Sequence, residues 1–161
     1  MAKNALLKSL NSMDGAGKFY VYFFNQSDDA MRINDIRSPV MLESNLANIN
    51  KVSEWIDSRR ARGGTDPSDS LKSAFTHKPT ELFLLTDGEF RVRKDEPSVQ
   101  ALIQSLNANK ATKINTLAIG DPLRGTTTEA TLMIIAQENG GTYTFIDPAT
   151  VKSPPKPAST P

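Results

Sequence analysis

The sequence predicts an α/β fold, doubly wound, with a mostly parallel open sheet and helices on both faces. Three observations carry this reading. Leu82-Phe83-Leu84-Leu85 is an unbroken apolar run bounded by Pro79-Thr80 before and Asp87-Gly88 after; such a run reads as a strand buried on both faces, as in a parallel sheet covered by helices. Lys113 to Ile119 is another strand, ending at Gly120-Asp121-Pro122. Amphipathic helical patterns alternate with these strands, which predicts parallel pairing through right-handed crossovers.

In chain order, Leu6, Leu7, Leu10 and Met13 recur at helical spacing, so residues 3–13 form a helix that Asp14-Gly15-Ala16-Gly17 ends. Phe19 to Phe24 is aromatic and β-branched and reads as a strand. Asn25-Gln26-Ser27-Asp28-Asp29 turns the chain, and residues 30–33 return as a short edge strand. Leu46, Ile49, Val52 and Ile56 mark the inner face of a helix over 44–59, with Arg59 and Arg60 in its last turn, favourable against the helix dipole.

Gly63-Gly64-Thr65-Asp66-Pro67 breaks the chain, with Asp66 as N-cap and Pro67 at the first position of a short helix facing inward through Leu71, Ala74 and Phe75. After the strand at 81–86, Asp95 or Glu96 is the cap and Pro97 the start of a helix with Val99, Leu102, Ile103 and Leu106 in register. Thr126 and Glu129 have capping-box spacing ahead of Leu132, Ile135 and Ala136, and Asn139-Gly140-Gly141 stops that helix. Thr142 to Ile146 is the last strand. Residues 1–147 make one domain, and residues 148–161, with Pro154-Pro155-Lys156-Pro157, read as a linker or extended tail.

Composition narrows the function classes. At 161 residues the chain supports one domain with a full core. The 19 basic and 18 acidic side chains leave a net charge of +1, which gives no general field for nucleic acid or an anionic membrane. There is no cysteine, hence no disulfide framework or thiolate metal site. No apolar run approaches the roughly 18 residues of a membrane span, and Lys8 and Ser9 follow Leu6-Leu7 too closely for a signal peptide. The sole histidine, His77, lies in the polar Thr76-His77-Lys78-Pro79 stretch and reads as a surface loop residue. No Ser–His–Asp or Cys–His set can be assembled, and we expect no enzyme.

Three loops are expected at one end of the sheet: Ser27-Asp28-Asp29, Gly64-Thr65-Asp66 and Asp87-Gly88-Glu89. Asp87 falls at the carboxyl end of its strand, where open α/β sheets place ligands. Carboxylates and hydroxyls without His or Cys favour a hard cation, Mg²⁺, Mn²⁺ or Ca²⁺, or they serve only as caps and turns. Arg59, Arg60 and Arg62, like Arg91, Arg93 and Lys94, read as solvated element ends, with an acidic partner patch as the alternative. Trp55 reads as packing and Glu89 as an exposed loop residue.

Taken together, Gly63-Gly64-Thr65 before a helix, Phe83-Leu84-Leu85-Thr86-Asp87-Gly88, Ile114 to Gly120, and Ile135 to Tyr143 resemble a von Willebrand factor type A (VWA) domain, bacterial members most closely, over about residues 3–147. The resemblance implies a Rossmann-like sheet and a metal-ion-dependent adhesion site built from three loops: an Asp-x-Ser-x-Ser after the first strand, a Thr, and an Asp. By resemblance Thr65 fills the second role and Asp87 the third, acting through water. A partner's acidic side chain then completes the shell of the cation.

The chain departs from that pattern at the first loop. The helix over 3–13 is the one that follows this loop in the family, so the first central strand and its Asp-x-Ser-x-Ser are expected to be missing and the domain to be N-terminally incomplete. Asp66-Pro67-Ser68-Asp69-Ser70 spells the pattern, but it follows Thr65 directly and starts a helix, so capping explains Asp66 and Ser68 better than a relocated ligand set. Two ligands, one indirect, are too few for a cation that takes six oxygens, so affinity is expected to be very weak. Removing a central strand leaves apolar unpaired edges on strands 19–24 and 81–86, at about 1–3 kcal/mol per buried unpaired group. Either those strands close on each other, or another segment supplies the strand, or the chain begins inside the domain; the last is favoured.

The expected function is therefore a protein-interaction module for adhesion or scaffolding, whose partner is another protein offering an acidic side chain, with no nucleic acid and no membrane span. A metal-independent structural domain of the same type is the alternative. A nucleotide-binding enzyme with Gly63-Gly64-Thr65 at a helix N-terminus is disfavoured, because these glycines follow a helix and no Gly-x-Gly-x-x-Gly or Lys-Ser/Thr loop exists. By resemblance the parent protein is membrane-associated, secreted, or partnered with ATPases; the residues do not choose a compartment.

Overall fold

The computed structural model describes residues 2–13, 17–25, 28–34, 36–60, 64–120 and 123–147; the proline-rich stretch 148–161 lies outside the described residues. Helix α1 (Ala2–Asn11) is followed by six short strands, β1 (Lys18–Phe19), β2 (Tyr22–Phe24), β3 (Asp28–Ala30), β4 (Arg32–Ile33), β5 (Ile36–Arg37) and β6 (Leu42–Glu43), and by helix α2 (Leu46–Ser58). The second half alternates: α3 (Ser68–Thr76), β7 (Glu81–Thr86), α4 (Val99–Leu106), β8 (Lys113–Ile119), α5 (Thr127–Glu138) and β9 (Tyr143–Ile146).

β7, β8 and β9 form a parallel sheet in that order. Its register runs from Glu81–Lys113 to Thr86–Ala118 and from Thr116–Tyr143 to Ile119–Ile146. The expected mostly parallel sheet is confined to these three strands. The first half forms antiparallel ladders instead, β1 with β6, β2 with β3 and β4 with β5. The physical reason is connection length. Parallel neighbours need a crossover of about a dozen residues or more, and turns alone separate the strands between residues 18 and 43. The expected strand over 19–24 is accordingly split into β1 and β2.

Two apolar clusters result. Leu71, Leu84, Leu102, Ile103, Ile114 and Leu132 belong to the first, which joins α3, α4 and α5 to the parallel sheet. Leu10, Phe19, Met31, Val52, Trp55 and Ile56 belong to the second, which joins α1 and α2 to the antiparallel half and contains no side chain of β7, β8 or β9. The expected helices on both faces of one sheet are thus divided between two cores, because there are two sets of strands to cover. Trp55 is buried against Phe23 at 5.3 Å between ring centroids, as a packing residue. Leu46, expected on the inner face of α2, is exposed because the helix begins at that residue, outside the buried stripe. α3 ties the halves: Ser70 Oγ donates to the Phe23 carbonyl at 3.4 Å, the Asp66 N–H donates to the Asn25 carbonyl at 2.7 Å, and Phe24 packs on the first cluster.

The caps follow local chemistry, with one correction. Thr126 Oγ1 accepts the Glu129 N–H at 3.2 Å, as the capping-box spacing predicts, while the Glu129 carboxylate accepts from the Gly125 N–H. α4 is capped by Ser98, which accepts the Ala101 N–H at 3.2 Å, in place of Asp95 or Glu96. Pro97 then lies one residue outside the cap, and Glu96 is engaged by Lys72 and Arg93. A buried amide clamp closes the far end. Asn107 Nδ2 donates to the Thr112 carbonyl and to Asn139 Oδ1, each at 2.7 Å, while Asn107 Oδ1 accepts the Thr112 N–H at 3.0 Å. It fixes the exits of α4 and α5 to the entry of β8, with every buried group paired.

His77 is not a solvated loop residue. It is the C-cap of α3, its ring stacks on Tyr20 at 4.3 Å, and its Nε2 meets the Tyr22 hydroxyl at 2.9 Å. These rings line a cleft of about 420 Å³ together with Arg37, Ser38 and Thr76. Burial and then the charge of Arg37 hold the His77 pKa below the usual imidazole value of 6.5. The neutral ring is therefore the form the fold prefers: its contribution is complete above about pH 6.5 and is lost as pH falls through the lower folded value. Because His77 is the only histidine, urea midpoints measured from pH 7.5 down to pH 5.5 are expected to fall in the native chain and to flatten in His77→Phe.

Gly141 supplies a second expectation. A methyl group there would lie 1.8 Å from the Ile114 carbonyl oxygen, against backbone that cannot yield. Gly140 has φ +66° and open space around it. Gly141→Ala is expected to cost about 3 kcal/mol or more, and Gly140→Ala about 1–2 kcal/mol from the left-handed backbone alone, both read from denaturant unfolding.

Candidate functional site at the carboxyl end of β7

The site starts from the way β7 ends. Thr86 Oγ1 donates to the Gly88 carbonyl at 2.8 Å and accepts the Gly88 N–H at 3.3 Å, a local turn that leaves Asp87 exposed at the sheet's carboxyl end. Thr65 comes to the same place from the other side. Its carbonyl accepts the Arg91 N–H at 3.0 Å, and a methyl group on Gly88 would lie 3.3 Å from its Oγ1. The Phe90 N–H is held by Thr128 Oγ1 at 3.0 Å, at the start of α5. The hydroxyl of Thr65 and the loop that carries Asp87 are thus neighbours, although 22 positions separate the two residues (87 − 65).

The third expected loop does not contribute in the same way. Ser27 lies outside the described residues. Asp29 sits in β3 and pairs with Arg59 at 3.1 Å, because the β2–β3 hairpin turns it toward the end of α2. Arg59 also lies over the Trp55 ring at 5.4 Å, so it is not simply a solvated helix end. The backbone of the first loop still reaches the rim, through the Asn25 carbonyl and the Asp66 N–H. Glu89 is exposed.

The run Asp66-Pro67-Ser68-Asp69-Ser70 behaves as a helix start. Asp66 is buried and its Oδ1 accepts the Ser68 N–H at 3.0 Å. Burial opposes its charge, but the bonds from Ser68 and the presence of Arg93 outweigh that and hold its carboxyl below the usual value. Ser70 turns to β2. Arg93 makes ion pairs with Asp69 at 3.2 Å and Glu96 at 3.0 Å and approaches Asp66 at 3.9 Å, while Lys72 joins Glu96 at 3.0 Å. Arg93, read from the sequence as a solvated loop end, therefore ties the loop after β7 to α3. Nothing local signals these pairs, since the partners lie 24 or more positions away in three of the four contacts.

The fit of a cation can be judged from the donors. Thr65 offers one hydroxyl oxygen and Asp87 one carboxylate, against the six or more oxygens that Mg²⁺ or Ca²⁺ takes. Among the described residues no group of three or more His, Asp or Glu side chains is placed to hold a metal. These residues alone do not fit a complete cation site. The Tyr20–Tyr22–His77 cleft was not legible in the sequence, because a hydrogen bond across 55 positions has no local pattern. Among the described residues no helix is long and apolar enough to cross a membrane.

Comparison with known proteins agrees with this architecture. The von Willebrand factor type A domain family matches residues 1–145. A von Willebrand factor type A protein from Catenulispora acidiphila superimposes with a TM-score of 0.71 at 22% identity, over 92% of this chain and 34% of that one. Proximal thread matrix protein 1 from the mussel byssus gives a TM-score of 0.62 at 17% identity, over 91% of this chain and 37% of that one. The chain thus spans about a third of the length of these solved structures, and at such identities the likeness concerns the fold. Among curated proteins no match was found. The family match spans nearly the whole of the described fold, and the chain belongs to the von Willebrand factor type A family.

Proposed function

We propose that this chain is a non-catalytic protein-interaction module of adhesion or scaffold type, and that it meets its partner at the rim formed by Thr65 and Asp87. The observation that supports the reading is the placement of the Thr65 hydroxyl against Gly88 at the carboxyl end of β7, with Asp87 exposed beside it. Such a rim presents a hydroxyl and a carboxylate to an incoming protein, at the end of an α/β sheet where ligands collect. A partner that offers an acidic side chain suits it when a divalent cation, Mg²⁺, Mn²⁺ or Ca²⁺, offsets the charge of Asp87. Without the cation, two carboxylates repel. The formal net charge of +1 gives no general attraction to nucleic acid.

The shortage of donors favours a second reading, in which the domain binds through its surface without metal. Magnesium separates the two. In the cation-assisted reading, Mg²⁺ raises the unfolding temperature slightly and saturates only in the millimolar range; a tenfold excess over the dissociation constant corresponds to about 1.4 kcal/mol. The rise is expected to disappear in Thr65→Val and Asp87→Asn, whose stability without Mg²⁺ stays close to that of the native chain. If Mg²⁺ leaves the unfolding temperature unchanged, the cation-assisted reading fails and the metal-independent one stands.

A further inference from the structure

The cleft beside His77 lies at the opposite end of α3 from Thr65: Thr65 leads into the helix, and His77 closes it. Its walls are bonded directly to one another. Tyr20 stacks on Tyr22, at 4.7 Å between ring centroids, and on His77, at 4.3 Å, while its hydroxyl donates to the Ser38 carbonyl. The Tyr22 hydroxyl and His77 Nε2 are joined at 2.9 Å. The volume of about 420 Å³ falls within the roughly 300–1,000 Å³ usual for small-molecule sites, which combine an apolar or aromatic wall with a few polar groups.

Hydrogen-bond accounting selects the ligand. The hydroxyl protons of Tyr20, Ser38 and Thr76 are spent on the carbonyls of Ser38, Val40 and Ser73. The last-turn carbonyls of α3, which would attract a cation, are occupied in the same way: Ser73 accepts from Thr76, Ala74 from the His77 N–H and Phe75 from the Lys78 N–H. No carboxylate is among the described residues that line the cleft. Two donors stand apart from this. His77 Nδ1 has no hydrogen-bond partner among the described residues, and with the Tyr22 hydroxyl donating to Nε2 the ring proton resides on Nδ1. Arg37 is already engaged within the fold, but a guanidinium carries five N–H donors. It is exposed where it lines the cleft, and near enough for its charge to act on the His77 ring.

We infer that the cleft binds a small aromatic carboxylate, its ring against the wall made by Tyr20, Tyr22 and His77 and its carboxylate held by Arg37 and His77 Nδ1. The guanidinium fork matches the two oxygens of a carboxylate, and contact between rings adds to the burial of the apolar body. The groups that face His77 are Arg37 from β5, Tyr20 and Tyr22 from the β1–β2 segment, and the uncharged Ser73 and Thr76 from α3. Arg37 is the charge that acts on the ring. A carboxylate beside Arg37 offsets that charge and favours the protonated imidazole. Occupancy therefore raises the His77 pKa, and affinity grows as pH falls from the raised value to the free one. The site uses neither Thr65 nor Asp87 and stands independently of the function proposed above.

Fluorobenzoate added to the full chain tests this, read by fluorine NMR and by the ring protons of His77, the only histidine. Saturable shifts of both are expected, with a dissociation constant in the millimolar range and a His77 pKa at least about half a unit higher in the bound chain. Arg37→Gln is expected to leave the circular dichroism spectrum unchanged and to weaken binding at least about tenfold. Acetate, which lacks the ring, and benzyl alcohol, which lacks the charge, are expected to bind at least about tenfold more weakly than fluorobenzoate. If Arg37→Gln does not fold, the His77 pKa of the native chain with and without fluorobenzoate carries the test. Fluorobenzoate that leaves the His77 resonances unchanged overturns the proposal. Equal affinity in the native chain and Arg37→Gln overturns it, as does acetate that binds as tightly as fluorobenzoate, since the rings would then contribute nothing.

Discussion

The in-register pairing of β7 with β8 is the constraint on which the rest of the molecule depends. Once Glu81 is opposite Lys113 and Thr86 opposite Ala118, every side chain of β7 has its face and every backbone group its direction. Leu84 goes to the core under α3, α4 and α5, and Phe83 does not. The same register sets where the strand stops. The turn made by Thr86 and Gly88 follows immediately, and it brings Gly88 against Thr65. A slip of one residue would reverse the faces of the whole strand and carry the turn away from Thr65. β8 is in turn anchored at its entry by the close approach of Gly141 to Ile114 and by the Asn107 clamp.

A second consequence concerns how the halves of the molecule communicate. The two apolar clusters share no side chain, and the antiparallel half is joined to the parallel half through Phe24 of β2, which packs on the first cluster, through α3, and through the segment that leads into α3. That segment is polar. Asp66 is held by Ser68 and approached by Arg93; Asp69, Lys72 and Glu96 extend the network across to the loop before α4. Exposed pairs of this kind contribute little individually, but Asp66 is buried, and its bonds fix the direction in which Thr65 arrives. The rim at the end of β7 is thus positioned by electrostatics on one side and by sheet register on the other.

What could be read from the residues follows from the range of the interactions. β7 was legible because an apolar run bounded by turn residues needs no knowledge of its partner. The inner faces of α4 and α5 were legible from spacing, and Thr126 from its capping chemistry. The antiparallel ladders between residues 18 and 43 were not, since strands of two or three residues carry too little alternation to declare a period. Ser98 was passed over for Asp95 and Glu96 because all three suit a cap, and the ion pairs of Glu96 with Lys72 and Arg93 decide between them. His77 looked solvated because its partners, Tyr20 and Tyr22, come from the other half of the chain. Of the candidate site, the meeting of Thr65 with the Asp87 loop follows from strand order. The withdrawal of Asp29 to Arg59 depends on hairpin register and was invisible.

The stretch from Asp66 to Ser70 shows why a motif is decided by backbone geometry and not by spelling. Asp-x-Ser-x-Ser offers oxygens to a cation only where the chain leaves a strand and its side chains point outward together. Here the same letters open a helix, and a helix start has its own unsatisfied N–H groups. Asp66 answers one of them at Ser68, and Ser70 is drawn to the carbonyl of Phe23. Asp66 Oδ1 and Ser70 Oγ are taken up by structure in this way. Thr65 stands one residue earlier, outside the helix, and its Oγ1 lies against Gly88, where no side chain stands in its way.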